Sequence, residues 1–235
     1  MRLLLISNST MAGEPYLDYC KNDIADFLGN DRVEALFIPY AGVSMTYDEY
    51  EAKVKTRFNE VGHDVVSIHH FNDPIKAVQD AKAIIVGGGS TWHLLHEVRR
   101  HGLIEQIRTK VEDGTPYIGW SAGSNLTCPT IKTTNDMPII DPKGFEALNL
   151  IPFQINPHYL DKTAQGHGGE SRQQRIEEFL IVNQDITVAG LREGCMFIYE
   201  NGKLTHKGER TCRIFKYGEE FYELSSGDDF NFLMK

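Results

Sequence analysis

The chain has 235 residues, 41% of them hydrophobic, and carries 24 Lys and Arg against 33 Asp and Glu, a formal net charge of -9. This length suffices for one sizeable core, so we expect a single domain over residues 1–235. The negative net charge argues against binding to nucleic acid or to an anionic membrane, and it favours small or zwitterionic partners.

Cysteine usage and hydropathy predict the cellular compartment. The four cysteines are scattered without a close pair, which predicts reduced, mostly buried thiols rather than disulfides or a zinc site. The first apolar run is too short for a signal peptide, and no segment has the roughly 18 apolar residues of a membrane-spanning helix. We therefore expect a cytoplasmic protein that does not enter a membrane.

In the first half of the chain, short apolar runs alternate with amphipathic stretches. Strands are predicted at residues 3–6, 35–38, 65–68, 84–86 and 117–119. These runs are apolar at nearly every position, as in strands covered by helices on both faces. The alternation predicts an α/β fold with a doubly wound, mostly parallel sheet flanked by helices.

Helix signals lie between the predicted strands. Apolar residues recur at helical spacing over residues 17–28, before Gly29 ends the pattern. Thr46 and Glu49 resemble a capping box that opens a helix running to about residue 61. Asp73, followed by proline, resembles the N-cap of a further helix.

The last third of the chain has a different character. Residues 171–182 are predicted to form a helix, and short strands with hairpin turns follow from residue 187. Asn201-Gly202 between two apolar runs is a strong type I′ hairpin signal. We expect a small antiparallel extension of the sheet near the C-terminus.

The most informative local pattern is the pentapeptide Gly-Trp-Ser-Ala-Gly at residues 119–123, directly after a predicted strand. It matches the G-x-S-x-G nucleophile elbow, in which small neighbours allow a strained turn to expose the serine hydroxyl. Ser121 is therefore the candidate nucleophile. The alternative is a small-residue turn that only lets a helix pack closely on a strand.

A second turn rich in glycine, residues 87–91, also follows a predicted strand and opens a predicted helix. Consecutive glycines allow backbone N–H groups to approach a developing negative charge. We expect an oxyanion hole formed by Gly88, Gly89 and Ala122. A phosphate-binding loop is the rival interpretation, although the lysine of a Walker A sequence is missing.

A serine nucleophile needs a general base, normally histidine, and the chain offers nine. Most lie in polar, helical or turn sequences, where solvent exposure explains them: His63, His69, His70, His93, His96, His101, His167 and His206. His158 differs because it ends an apolar, strand-like run, and active sites of open α/β sheets gather at strand C-termini. Asp136 and Glu193 are both candidates to orient His158, and local sequence does not choose between them.

Several segments occur in the order typical of one known family. They are LLISNST, FIPYAGV, VGGGST, GWSAGSN, TTNDMPI and QINPH. Together they resemble the peptidase E family of aspartyl dipeptidases, and the resemblance extends from Met1 to about Gly194. The segment from about Lys203 is weakly matched.

The resemblance implies a fold similar to class I glutamine amidotransferases, with serine replacing their cysteine at the elbow. It implies that Ser121 is the nucleophile and His158 the base, with Asp136 ranked narrowly ahead of Glu193 as the charge-relay residue. It also implies hydrolysis of Asp-X dipeptides that have an unblocked N-terminal aspartate. Arg172 matches the family's candidate arginine, whose guanidinium can grip the substrate carboxylate with two hydrogen bonds.

Other functions stay open at this point. A cyanophycinase-like enzyme would cleave β-aspartyl peptides with a similar elbow, and a glutamine amidase module would normally need cysteine at position 121. A non-catalytic binding module would keep Ser121 only as a turn residue. The sequence contains no His-Glu-x-x-His motif, so no metal and no cofactor are expected, and either a monomer or a homodimer is expected.

Overall fold

The computed structural model describes residues 1–161 and 168–235, so His167 lies outside the described residues. In chain order the strands are β1 (Arg2–Ile6), β2 (Glu34–Ile38), β3 (Asp64–Ser67), β4 (Ile84–Val86), β5 (Pro116–Trp120), β6 (Gln154–Tyr159), β7 (Val188–Arg192), β8 (Met196–Glu200), β9 (Lys203–Lys207), β10 (Cys212–Phe215) and β11 (Tyr222–Leu224). The helices are α1 (Lys21–Leu28), α2 (Tyr47–Glu60), α3 (Pro74–Asp80), α4 (Thr91–Arg100), α5 (Ile104–Glu112), α6 (Ala122–Asn125) and α7 (Arg172–Val182), with 3-10 turns at Ile68–His70 and Asn231–Met234.

The central sheet has seven strands in the order β3-β2-β4-β5-β1-β8-β9. The strands from β3 to β1 are parallel, whereas β8 pairs antiparallel with β1 and β9 pairs antiparallel with β8. The predicted α/β fold, with a mostly parallel sheet and an antiparallel extension near the C-terminus, is confirmed. The single domain stays a prediction.

A second sheet of four strands, in the order β11-β10-β7-β6, was not predicted. Its strand β6 is parallel to β7, and β10 is antiparallel to both β7 and β11. The residues that precede His158 therefore form a strand, as expected, but that strand belongs to the smaller sheet.

Helices cover both faces of the central sheet. Leu4 and Ile6 of β1 pack on one face with residues of α1 and α2, whereas Leu3 and Leu5 pack on the other face with residues of α3, α4 and α5. Because side chains alternate between the faces of a strand, a strand covered on both sides must be apolar at every position. This packing explains the uninterrupted apolar runs.

The first helix is shorter than the sequence pattern predicts. Apolar spacing runs from Leu17, but α1 begins only at Lys21. Leu17 has a left-handed backbone, with a φ of 55°, and its N–H donates to the Ser9 carbonyl at 2.6 Å. Leu17 and Cys20 are nevertheless fully buried. The turn therefore buries these apolar residues without extending the helix.

Other local predictions are confirmed. Thr46 and Glu49 form a capping box at the start of α2, and the Asp73 side chain caps α3. The β8–β9 hairpin turns at Asn201 and Gly202, with positive φ at both residues, as a type I′ turn requires.

The cysteines behave as expected: Cys20, Cys128, Cys195 and Cys212 are free thiols, and each one is buried. Across residues 1–161 and 168–235, the helices are too short or too polar to cross a membrane.

Candidate active site

Ser121 lies at a sharp turn between β5 and α6. Its backbone has a φ of 53° and a ψ of -112°, and its N–H donates to the Ile6 carbonyl at 3.0 Å. The turn is possible only with small neighbours, since a Cβ on Gly119 would lie 2.5 Å from the Gly123 carbonyl oxygen. A Cβ on Gly123 would lie 2.2 Å from the Val86 carbonyl oxygen. The glycines of the pentapeptide thus allow the strained turn that exposes the hydroxyl.

His158 faces the serine from the neighbouring sheet. It also has a positive φ, 53°, at a point where the register between β6 and β7 shifts. The backbone N–H of His158 donates to Ser7 Oγ at 2.9 Å, and Ser7 Oγ donates to the Leu191 carbonyl at 2.8 Å. The irregular backbone directs the imidazole toward the elbow, with 2.9 Å between Nε2 of His158 and Oγ of Ser121.

Glu193 completes a hydrogen-bonded series. It lies in the turn between β7 and β8, and its Oε1 is 2.7 Å from Nδ1 of His158. The turn is held by Gly194, whose N–H donates to Oδ1 of Asn8 at 2.8 Å. The His158 and Glu193 side chains are 37% and 38% exposed, so the series opens to solvent and to a ligand.

Asp136 forms its hydrogen bonds with the start of α4 and not with His158, although it was ranked first as the charge-relay residue. Its Oδ2 accepts the Thr91 N–H at 2.7 Å, and its carbonyl accepts Nε1–H of Trp92 at 3.0 Å. The carboxylate therefore lies at the N-terminus of α4, where it complements the helix dipole. The hydrogen bond to His158 is made by Glu193, so the geometry reverses the narrow ranking of the two carboxylates.

The predicted oxyanion-hole residues surround the serine. Ser90 N–H donates to the Ala41 carbonyl at 2.8 Å, which anchors the end of the glycine-rich turn. In the described part of the chain, the N–H groups of Gly88 and Gly89 have no acceptor, and neither has that of Ala122 at the start of α6. These groups are therefore available to a ligand.

Tyr50 supports this turn, and no sequence motif singled it out. Its hydroxyl donates to the Gly88 carbonyl at 2.9 Å, and it accepts from Trp120 Nε1 at 3.3 Å and from Tyr16 at 3.1 Å. Burial raises the pKa of Tyr50, so its hydroxyl keeps its proton. Tyr50 thereby links the glycine-rich turn to the strand that carries Ser121.

A cavity of about 480 Å³ opens beside Ser121 and His158. Its wall includes the glycine-rich turn, Tyr50, and the segment from Ala41 to Met45. Lys53 adds a cationic side chain to the rim, with its Nζ 4.2 Å from the centroid of the Tyr16 ring. The size and the mixed lining suit a small polar ligand.

Arg172 lies at the start of α7, next to His158. Its Nη1 donates to the His158 carbonyl at 2.9 Å, and the structure gives it no carboxylate partner within the described ranges. Burial lowers the pKa of its guanidinium, against the opposing fields of Tyr159, Glu193 and Asp136. An arginine stays charged even so, which leaves a partly desolvated cation at the edge of the site.

Residues able to hold a metal lie elsewhere. Within the described residues, one group of this kind is formed by Asp48, Glu51, His69 and His70. None of these four side chains lines the cavity beside Ser121. This group of possible metal ligands is therefore separate from the cavity.

The chain is similar in sequence to known peptidases. A family model for peptidase family S51 matches residues 3–207. A peptidase E from Nostoc sp. is 48% identical over 234 residues, which are 100% of this chain and 97% of the relative. A peptidase E from Escherichia coli is 48% identical over 230 residues, 98% of this chain and 100% of the relative.

Among solved structures, a peptidase from an acI-B1 Actinobacterium superposes with a TM-score of 0.70 at 15% identity. The match covers 97% of this chain and 96% of that one. At this level of identity the likeness concerns the fold alone.

Proposed function

The chain belongs to peptidase family S51, and from that premise we propose that it is a serine-type dipeptidase that releases an unblocked N-terminal aspartate from Asp-X dipeptides. The hydrogen-bonded series from Ser121 through His158 to Glu193 is the observation that carries the proposal. The resemblance to peptidase E found in the sequence is confirmed by the relatives. A cytoplasmic location and a monomeric or dimeric state stay predictions.

In the proposed mechanism, Ser121 Oγ attacks the scissile carbonyl carbon and gives its proton to Nε2 of His158. Glu193 holds the imidazole in the tautomer with Nδ1–H and stabilises the imidazolium that forms. The tetrahedral oxyanion accepts hydrogen bonds from N–H groups of Gly88 or Gly89 and Ala122. When the C–N bond breaks, His158 returns the proton to the leaving amine.

An ester between aspartate and Ser121 remains and is hydrolysed in a second step. Water gives a proton to His158 and attacks the ester carbonyl, and the serine recovers its proton as aspartate leaves. The exposure of His158 and Glu193 is compatible with the entry of this water.

We assign the enzyme's preference for an N-terminal aspartate in the substrate to Arg172. Its guanidinium is partly buried, lies beside His158, and has no carboxylate partner in the described part of the chain. By contrast, the nearby Arg192 is already paired with Asp161 and Glu223. A planar guanidinium can bind the substrate side-chain carboxylate through two parallel hydrogen bonds. Lys53 at the cavity rim is placed to attract the C-terminal carboxylate of a dipeptide.

The experiment compares hydrolysis of Asp-Leu, β-Asp-Leu, Glu-Leu and Ala-Leu, with EDTA present throughout. We expect cleavage of Asp-Leu alone, and a loss of about 10³-fold or more in kcat for Ser121→Ala. Ser44→Ala is the matched control, since Ser44 lines the same cavity without contacting His158. We expect this control to retain activity.

Specificity is tested with Arg172→Met against Arg175→Met, an exposed arginine on the same helix that is paired with Glu170 and Glu178. The first variant is expected to lose most of its preference for Asp-Leu over Ala-Leu. Cleavage of β-Asp-Leu alone would instead favour the cyanophycinase-like alternative. Folded protein that cleaves none of the peptides would contradict the proposal.

A further inference from the structure

Two imidazoles and two carboxylates converge where the start of α2 packs against the turn at Ile68–His70. Asp48 and Glu51 are three residues apart on α2, so they share one face of the helix. His69 and His70 project toward them, and one ligand atom from each of the four side chains lies within 4.8 Å of all the others. Such a set combines nitrogen and oxygen donors from two separate elements.

The distances suit a common ligand. Nε2 of His70 is 2.6 Å from Glu51 and 3.8 Å from Asp48, and Nε2 of His69 is 3.0 Å from Asp48. Four ligands bound tetrahedrally at zinc-like distances lie about 3.4 Å from one another. The four groups therefore reach metal-binding geometry by side-chain adjustments of about 1 Å.

The ligand atoms are held by a surrounding set of hydrogen bonds. Nδ1 of His69 lies 2.6 Å from Ser67 Oγ, so its Nε2 is the nitrogen directed at the carboxylates. The Ser67 N–H donates to Oε1 of Glu51 at 2.8 Å, which leaves Oε2 directed at His70. Metal-binding histidines and carboxylates in proteins are oriented in this way by outer hydrogen bonds.

The plainer interpretation is two independent hydrogen bonds, each from the Nε2–H of one histidine to one carboxylate. It leaves two carboxylate oxygens within 4.8 Å of each other, where their negative charges repel. A single divalent cation would neutralise both carboxylates while both imidazoles stay neutral, so it satisfies all four groups at once.

We propose that Asp48, Glu51, His69 and His70 bind one divalent transition-metal ion of the Zn²⁺ type. Two imidazole nitrogens select Zn²⁺, Co²⁺ or Ni²⁺ over Mg²⁺ and Ca²⁺, which prefer sites made of oxygen atoms alone. The ion would join the first turns of α2 to the turn after β3. The site is separate from the proposed hydrolytic chemistry, since none of the four residues lines the cavity beside Ser121.

The test uses the full chain, stripped with EDTA and then freed of chelator. Co²⁺ is titrated in while the visible d–d absorption is recorded, and Zn²⁺ and Mg²⁺ are titrated calorimetrically. We expect one equivalent of Co²⁺ to bind, Zn²⁺ to displace it, and Mg²⁺ to leave the absorption unchanged. Zn²⁺ should also raise the melting temperature.

The variants Glu51→Gln and His70→Asn remove one ligand each, and the glutamine keeps an oxygen for the Ser67 N–H. Both should bind Zn²⁺ about 100-fold or more weakly and lose the rise in melting temperature. His101→Asn is the matched control, because His101 also lies beside a carboxylate, Glu97, at 3.7 Å but outside the cluster. Absence of Zn²⁺ uptake by the wild type, or equal uptake by folded Glu51→Gln and His70→Asn, would overturn the proposal.

Discussion

The roles of single residues in the candidate site depend on which carboxylate faces His158. Glu193 makes a 2.7 Å hydrogen bond to the imidazole, whereas Asp136 binds the first N–H of α4. Both carboxylates lie near Arg172, and the negative charge of each one acts to raise the pKa of its guanidinium. Exchange of each carboxylate for its amide separates a role in orienting His158 from a role in holding the helix.

We expect Glu193→Gln to lower kcat for Asp-Leu by about 10²–10⁴-fold, because an amide no longer stabilises the imidazolium. Asp136→Asn should lower kcat by less than about 10-fold, but it should cost about 1 kcal/mol of stability at the N-terminus of α4. Steady-state kinetics and thermal melts of both variants measure these effects. A kcat loss in Asp136→Asn as large as that in Glu193→Gln would return Asp136 to the charge-relay role.

The candidate nucleophile and the candidate base could be selected from the sequence because their signals are local. Ser121 is enclosed by glycines within one pentapeptide, and His158 ends an apolar strand. The choice between Glu193 and Asp136 depends on how the turn after β7 packs against β6, which involves contacts between distant parts of the chain. Tyr50 was missed for the same reason, since it reaches Gly88 from a helix 38 residues away.

The glycine-rich segment between β4 and α4 acts as a unit with the elbow. A Cβ on Gly88 would lie 2.9 Å from Cδ1 of Trp120 and 3.1 Å from Cβ of Ser121. The segment and the nucleophile are therefore packed without spare space. A methyl group at this position must displace either the turn or the serine.

We expect Gly88→Ala to lower kcat by about 10²–10³-fold, the usual effect of losing one oxyanion donor, with a smaller effect on KM. Gly168→Ala is the control, since Gly168 does not have a positive φ and an added Cβ there would meet no atom of residues 1–161 and 168–235 within 4 Å. Kinetics and melting curves for both variants provide the comparison. Full activity in Gly88→Ala would show that this turn does not support the oxyanion.

The proposed metal-binding set has no signal in the sequence, because its residues belong to separate elements. The four residues come from a helix and a separate turn, with His69 18 positions after Glu51, and they match no short motif. His69 and His70 were expected to be simply exposed. Only the packing of α2 on the segment after β3 brings the carboxylates to them.

For the whole molecule, one buried histidine links stability to pH. His206 is 4% exposed, stacks on Phe230, and has an Nε2 without a hydrogen-bond partner among the described residues. Burial, with a smaller contribution from Arg192, lowers its pKa to about 4. The unfolded chain takes up a proton near pH 6.5, which the native state accepts only at lower pH. His206 therefore causes no loss of stability above pH 6.5. As the pH falls from 6.5 toward 4, the unfolded chain takes up the proton first, so the free energy of unfolding decreases.

We therefore expect wild-type protein to lose about 2 kcal/mol of stability through His206 between pH 7.5 and pH 5. His206→Phe should remove that part of the loss, because phenylalanine keeps the stacking and has no titrating nitrogen. Urea unfolding of both proteins at the two pH values measures the difference. If the two proteins lose stability in parallel, His206 is not the responsible group.

The general architecture was accessible from sequence, whereas the second sheet was not. Apolar runs at every position identify strands covered on both faces, such as β1 and β4. Strands β10 and β11 are only four and three residues long, with exposed or half-buried residues in β11. Runs this short carry too little periodicity to show which sheet they join.

The order of the three catalytic candidates along the chain has a consequence for synthesis. Ser121 and His158 leave the ribosome before Glu193 and the strand β8, which pairs with the open side of β1. A nascent chain halted before residue 193 would hold an elbow serine and an imidazole with no carboxylate to orient it. The strand that covers the edge of β1 thus follows directly after the residue that completes the hydrogen-bonded series, so the chain covers an adhesive edge and gains an oriented imidazole at the same stage of synthesis.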